Sequence, residues 1–182
     1  MKLYIAYGSN MNKKVIKSVS SFSIKLFSGN LIGYNLVFRG LPNTSYLSIE
    51  ENNNSSIPVV VYLINNYTES QLDNYESYPE LYKKIEKKFK LSINNKVFKI
   101  NAMLYQMVNS FKDNLPNIDY YNTCLDAYNN LGFDKNILVN TFNSTKEIVE
   151  SRTDLGFPEF SINPSTYYDE TNFFKNKLQK KK

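Results

Sequence analysis

The chain has no histidine and no tryptophan, one cysteine, and two arginines against twenty lysines. Each scarcity excludes a chemistry. Without histidine there is no Ser-His-Asp triad and no Cys-His dyad. Zinc centres draw on Cys and His, and Cys124 alone cannot build one. A magnesium site built from carboxylates alone would need a D-x-D or similar cluster, and the sequence shows none. A lone cysteine forms no intrachain disulfide, which fits a cytoplasmic setting. No stretch approaches the roughly 18 apolar residues of a membrane-spanning helix. The start of the chain has neither the charged region nor the apolar region of a signal peptide. No membrane partner is therefore expected.

What is present is aromatic and basic. Fifteen tyrosines and twelve phenylalanines stand among 182 residues that are 42% hydrophobic, enough for one domain with an appendage. Chemistry is left to backbone amides, carboxylates, tyrosines and lysines. The net charge of +5 gathers in two runs, 83–90 and 175–182. A nucleic-acid surface favours arginine with interleaved exposed aromatics. These runs hold only lysine as the cation, so they read as a solvated strand face and a solvated tail. No nucleic-acid partner is expected.

Hydrophobic periodicity predicts strands at Lys2–Tyr7, Tyr34–Arg39, Tyr46–Ile49 and Pro58–Ile64, while Ile24 to Phe27 is a short apolar stretch. Gly29, Gly33 and Gly40 read as punctuation, and the Asn-rich stretch 50–56 reads as a loop. A short helix is expected over 12–20. Thr68 and Gln71 have the spacing of a capping box for a helix ending near Tyr75. Ile85, Lys87, Phe89, Leu91 and Ile93 alternate, as do Phe98, Ile100, Ala102 and Leu104, which predicts a hairpin turning at Asn94-Asn95. Lys87 is a misfit on that apolar face. Ile118 to Leu131 reads as a helix stopped by Gly132, with a second helix after Asp134. Short strands leave no room for helical crossovers, so the fold is expected to be α+β: a small mixed or antiparallel β-barrel flanked by helices. The expected domain spans 1–143. Residues 144–182 are expected to form an extension packed on it through Phe157, Phe160, Tyr167, Tyr168, Phe173 and Phe174.

Two segments carry the functional signal. The first is Tyr7-Gly8-Ser9-Asn10, where a strand stops and a helical segment begins. Such a turn offers free N–H groups to a carboxylate or an oxyanion. It equally describes an ordinary helix start capped by Ser9 or Asn10. The second is Leu72 to Tyr82, in which Glu76 closes a helix before a Pro-containing turn. A carboxylate at a helix C-terminus faces the unfavourable end of the dipole. Burial there would suit it to proton transfer near neutral pH, whereas exposure would make it an ordinary loop residue.

Taken together and in this order, the two segments resemble the gamma-glutamylcyclotransferase-like family, including its AIG2-like members. Tyr7 to Asn10 match the family's Tyr-Gly-Ser-Asn loop. Leu72, Asp73, Glu76, Pro79 and Tyr82 match its later motif, and Tyr120 after Pro116 matches a further tyrosine. The resemblance covers about residues 2 to 143. One departure is Ser77, where the family usually has glycine. The resemblance implies an enzyme without metal or cofactor that cyclises a small γ-glutamyl substrate to 5-oxoproline and a free amine. Glu76 would be the general acid/base, while Tyr7, Gly8, Ser9, Asn10, Tyr82 and Tyr120 would bind substrate. A binding module on the same fold, capturing a small ligand without turnover, is the alternative.

Overall fold

Backbone pairing, rather than side-chain polarity, decides where the strands run. The computed structural model describes residues 1–154. Its elements are β1 (Lys2–Ala6), a 3₁₀ turn (Ser9–Met11), α1 (Lys13–Val19), β2 (Ser23–Leu41), β3 (Thr44–Ile64) and α2 (Asn66–Tyr75). They continue with β4 (Tyr82–Ile93), β5 (Lys96–Met107), α3 (Ile118–Leu131) and α4 (Lys135–Asp154). The chain divides between Val149 and Glu150, and the fold described is that of the first unit. The expected boundary at 143 falls inside α4. The aromatic residues expected to anchor the tail lie outside the described residues.

The class is α+β. The strand order is β1-β3-β2-β4-β5, antiparallel throughout except where β5 meets β1. That last pairing is parallel, through Tyr4 and Met103, and brings the sheet round on itself. Ile5, Phe38, Leu47, Val60, Leu91 and Leu104 are among the side chains buried in the core.

Two expectations about β2 and β3 fail for the same reason. Gly29 and Gly33 do not end a strand, and 50–56 is not a loop. Both stretches belong to one long hairpin, with Ile32 opposite Ser56 and Tyr34 opposite Glu51. Residues 52–55 bulge opposite Gly33. Polar residues are compatible with a ladder whose side chains are mostly exposed, because the backbone supplies the hydrogen bonds. Gly29 serves a close approach instead. A Cβ there would lie 2.7 Å from the Ser92 carbonyl oxygen, next to the pairs Asn30–Ser92 and Leu31–Leu91 that join β2 to β4.

The β4–β5 hairpin follows its turn chemistry. Asn94 and Asn95 adopt φ of 48° and 62°, the left-handed pair of a tight hairpin turn that asparagine tolerates. Lys87, the misfit, snorkels. Its ammonium bonds Glu51 at 2.9 Å and stands 5.6 Å from the ring centres of Tyr34 and Phe89. The predicted capping box is displaced. Asn65 caps α2 by accepting from the Thr68 N–H at 2.8 Å. Thr68 is buried and donates its hydroxyl to the Phe22 carbonyl at 2.6 Å. Gln71 accepts from the Ser21 N–H at 2.9 Å. The third helix runs as predicted, capped by Asn117 and closed by Gly132 at φ 69°.

Candidate active site

The turn after β1 is built around contacts that glycine and asparagine permit. Gly8 has φ −116°, so it is there for room: a Cβ would stand 3.2 Å from the Tyr120 hydroxyl. The turn closes through Met11 N–H to Gly8 O at 3.0 Å and Asn12 N–H to Ser9 O at 2.9 Å. The N-cap of α1 is Asn12, not Ser9 or Asn10. Asn10 points inward and is 3% exposed. Its Nδ2 donates to the Tyr4 hydroxyl at 2.9 Å and to Glu76 Oε1 at 2.8 Å. Its Oδ1 is buried with no hydrogen-bond partner among the described residues.

Glu76 is held by the end of α2. It is the C-cap, at φ −79° and ψ 0°, with its N–H on the Leu72 carbonyl at 2.8 Å. The chain then turns left-handed at Ser77, φ 51°. Tyr78 N–H reaches Asp73 O at 2.9 Å, and Ser77 N–H reaches Asn74 O at 3.4 Å. This is the Schellman closure, whose left-handed position favours glycine. Serine there carries a local cost of about 1–2 kcal/mol, offset by the smaller entropy it loses on folding. Ser77→Gly should therefore raise stability by about 0.5–1 kcal/mol. A higher urea midpoint at unchanged slope is the expected result, and a lower midpoint would contradict it.

One cavity collects the pieces. Tyr7, Gly8, Ser9, Asn10, Glu76, Tyr82 and Tyr120 all line it, together with Tyr4, Leu47 and Tyr105. The last three carry no motif. Tyr4 and Tyr105 face each other edge-on at 5.9 Å. Tyr105 belongs to the strand whose alternating residues Ile100, Ala102 and Leu104 mark the apolar side, and it falls on the other side. Among the described residues, no lysine or arginine lines the cavity.

The phenols are fixed by the backbone and by each other. Tyr7 donates to Tyr105 O at 2.6 Å, Tyr82 donates to Leu47 O at 2.8 Å, and Tyr120 accepts from Leu47 N–H at 3.1 Å. Burial, reinforced by the charge of Glu76, pushes Tyr4 and Tyr7 well above the ordinary phenol range. Burial does the same to Tyr82 and Tyr105, with neighbouring groups adding to it. These side chains therefore stay protonated near neutral pH. Cys124 is buried outside the cavity lining, its thiol pushed up to about 12 by desolvation, so it is no nucleophile.

An ion cluster lies on α2 beside the cavity. Lys84 Nζ bonds Glu69 Oε1 at 2.5 Å and Asp73 Oδ2 at 3.0 Å, and Lys2 Nζ bonds Glu69 Oε1 at 3.1 Å. Burial pushes Glu69 up, but the two ammonium partners outweigh it and hold the carboxyl below its usual 4.5. A carboxyl with a depressed folded pKa contributes stability above its unfolded value and loses it as pH falls through the folded one. Unfolding midpoints of the wild type should thus drop as pH falls below about 4.5. Glu69→Gln should shallow that acid limb, and an unchanged limb would contradict the assignment.

Among the described residues, a single carboxylate and the turn after β1 line one tyrosine-rich cavity. The family described as "Gamma-glutamyl cyclotransferase, AIG2-like" matches residues 4–123, and the chain belongs to that family. Comparison with curated proteins gives no sequence match. Solved structures agree on the fold. A gamma-glutamyl cyclotransferase is 20% identical with a TM-score of 0.67, over 77% of this chain and 85% of that one. An uncharacterized protein from Homo sapiens is 20% identical with a TM-score of 0.64, over the same shares. A γ-glutamyl cyclotransferase specific to glutathione, from yeast, is 9% identical with a TM-score of 0.52, over 80% of this chain and 96% of that one. No helix among the described residues is long and apolar enough to cross a membrane.

Proposed function

We propose that this protein is a γ-glutamyl cyclotransferase-type enzyme that converts a γ-glutamyl amine or γ-glutamyl amino acid to 5-oxoproline and the free amine. The observation that carries the reading is the pairing of Glu76 with Asn10 in a cavity whose other described lining residues are neutral. The substrate's α-amine nitrogen attacks its own γ-carbonyl carbon. The new C–N bond closes the lactam, and the original amide C–N bond breaks. Glu76 takes the proton that the α-ammonium must lose before it attacks, and as the ring closes it relays the two protons shed by that nitrogen to the leaving nitrogen, which departs as an ammonium. The step is redox-neutral, and the substrate supplies its own nucleophile.

The other groups position and stabilise. Backbone N–H groups of Gly8, Ser9 and Asn10 face the developing oxyanion or the α-carboxylate, where neutral donors in a dry site act strongly. Tyr7, Tyr82 and Tyr120 shape the cavity and keep their protons. Proton transfer of this kind contributes about 10²–10⁴-fold. Restricting a flexible γ-glutamyl chain to a ring-closing geometry adds several kcal/mol more. The described residues that line the cavity fall within 1–143, and we read that stretch as the catalytic domain and 144–182 as an extension. Buried Cys124 without a cysteine partner supports a cytoplasmic setting.

A panel of γ-glutamyl amino acids and amines, with 5-oxoproline detected as product, tests the proposal. Release from at least one member is expected. Saturable binding with no 5-oxoproline from any member would replace the enzyme with a binding module.

A further inference from the structure

Lys84 belongs to the basic run that the sequence assigns to solvent, yet its side chain is only 14% exposed. Its ammonium bonds Glu69 and Asp73 and stands 5.1 Å from the centre of the Tyr78 ring. Glu69 and Asp73 are four residues apart, so they share one face of α2. Asp73 and Tyr78 lie on either side of Glu76 in the chain. Asp73 also accepts the Tyr105 hydroxyl at 2.6 Å. Tyr105 pairs directly with Lys84 across the β4–β5 ladder and lines the cavity. One ammonium therefore meets the helix before Glu76, the turn after it, and the carboxylate that orients a cavity phenol. Lys2 does less: it reaches Glu69 and Glu86, and its side chain is 39% exposed.

The need for such a clamp is local. Glu76 caps a helix that closes through serine in a left-handed conformation, at the position where glycine is favoured. A base must be held within a fraction of an ångström of its productive place, and small misplacement is costly. We propose that Lys84 is a positioning residue, fixing the segment that carries Glu76 and, through Asp73, the Tyr105 hydroxyl. This rests on the reading of Glu76 as the general acid/base. Lys84 touches no reacting atom and acts through the two carboxylates.

Lys84→Met should lower kcat for 5-oxoproline release by about 10–100-fold, with KM changed less than about threefold. Lys84→Arg should restore most of kcat, since a guanidinium can engage both carboxylates. The double variant Glu69→Gln/Lys84→Met removes one of the two carboxylates that lose the Lys84 ammonium, so it recovers part of the stability. Its kcat should stay low. Recovery of kcat together with stability would make the role purely structural and overturn the proposal, as would wild-type kcat in Lys84→Met. If the wild type releases no 5-oxoproline, the proposed reaction fails and the clamp is judged separately. In ¹³C-tyrosine-labelled protein the Tyr105 ring resonance should shift in Lys84→Met and return in Lys84→Arg. An unmoved resonance overturns the clamp.

Discussion

Glu76→Gln leaves a folded protein whose 5-oxoproline release falls by about 10²–10⁴-fold, the share that a positioned acid/base supplies. Glutamine keeps an oxygen where Glu76 Oε1 accepts from Asn10 Nδ2, so the hydrogen bond that holds the two segments together survives. What it loses is the ability to take the α-ammonium proton and hand it on. Substrate binding should change little, because the groups assigned to the α-carboxylate and the carbonyl are backbone amides of another segment. The kinetic signature is a fall in kcat and kcat/KM alike. Tyrosine cannot substitute: burial and the Glu76 charge keep Tyr4 and Tyr7 protonated far above neutral pH. Unchanged turnover in Glu76→Gln would remove Glu76 from the mechanism.

Asn10→Asp should have the second-largest effect, and its sign follows from charge. The substitution is nearly isosteric, but it replaces the amide that donates to Glu76 at 2.8 Å with a second carboxylate. Two carboxylates at that separation share one proton. The pair then retains a proton into the range where an isolated carboxylate is ionised. Fewer molecules hold the base form at neutral pH, so the acid limb of kcat/KM moves to higher pH. Each unit of that movement costs about tenfold at a fixed pH on the limb. Stability moves in the same sense. The native variant binds more protons than its unfolded chain, so it loses stability as pH rises from the ordinary carboxylate value of about 4. The loss of the Asn10 donor bond to the Tyr4 hydroxyl adds roughly 0.5–1.5 kcal/mol. A pH profile that overlays the wild type would show that Asn10 and Glu76 do not share an environment during turnover.

Turn chemistry makes the second half of the fold legible in the sequence. Asn94-Asn95 and Gly132 demand left-handed backbone, and the hairpin and α3 end where they stand. The first half is less legible. Its long hairpin is held by backbone pairing that runs through polar residues 50–56, where side chains carry no alternation. The site divides the same way. Glu76 and the Tyr7–Asn10 turn are contiguous motifs, and the fold brings both to one cavity. Tyr4 and Tyr105 lie on strands without a motif, and only tertiary closure of β1 on β5 brings them together. Lys84 is hidden by its neighbours. Within a run of lysines nothing local separates the one that faces α2 from those that face water.

The most direct measurement is the product of a γ-glutamyl compound turned over in H₂¹⁸O. Intramolecular attack by the α-amine keeps the original carbonyl oxygen. The expected products are 5-oxoproline without ¹⁸O and an equal amount of free amine. Glutamate carrying ¹⁸O would mean that water, and not the α-amine, is the nucleophile, and would contradict the cyclisation assigned to this cavity.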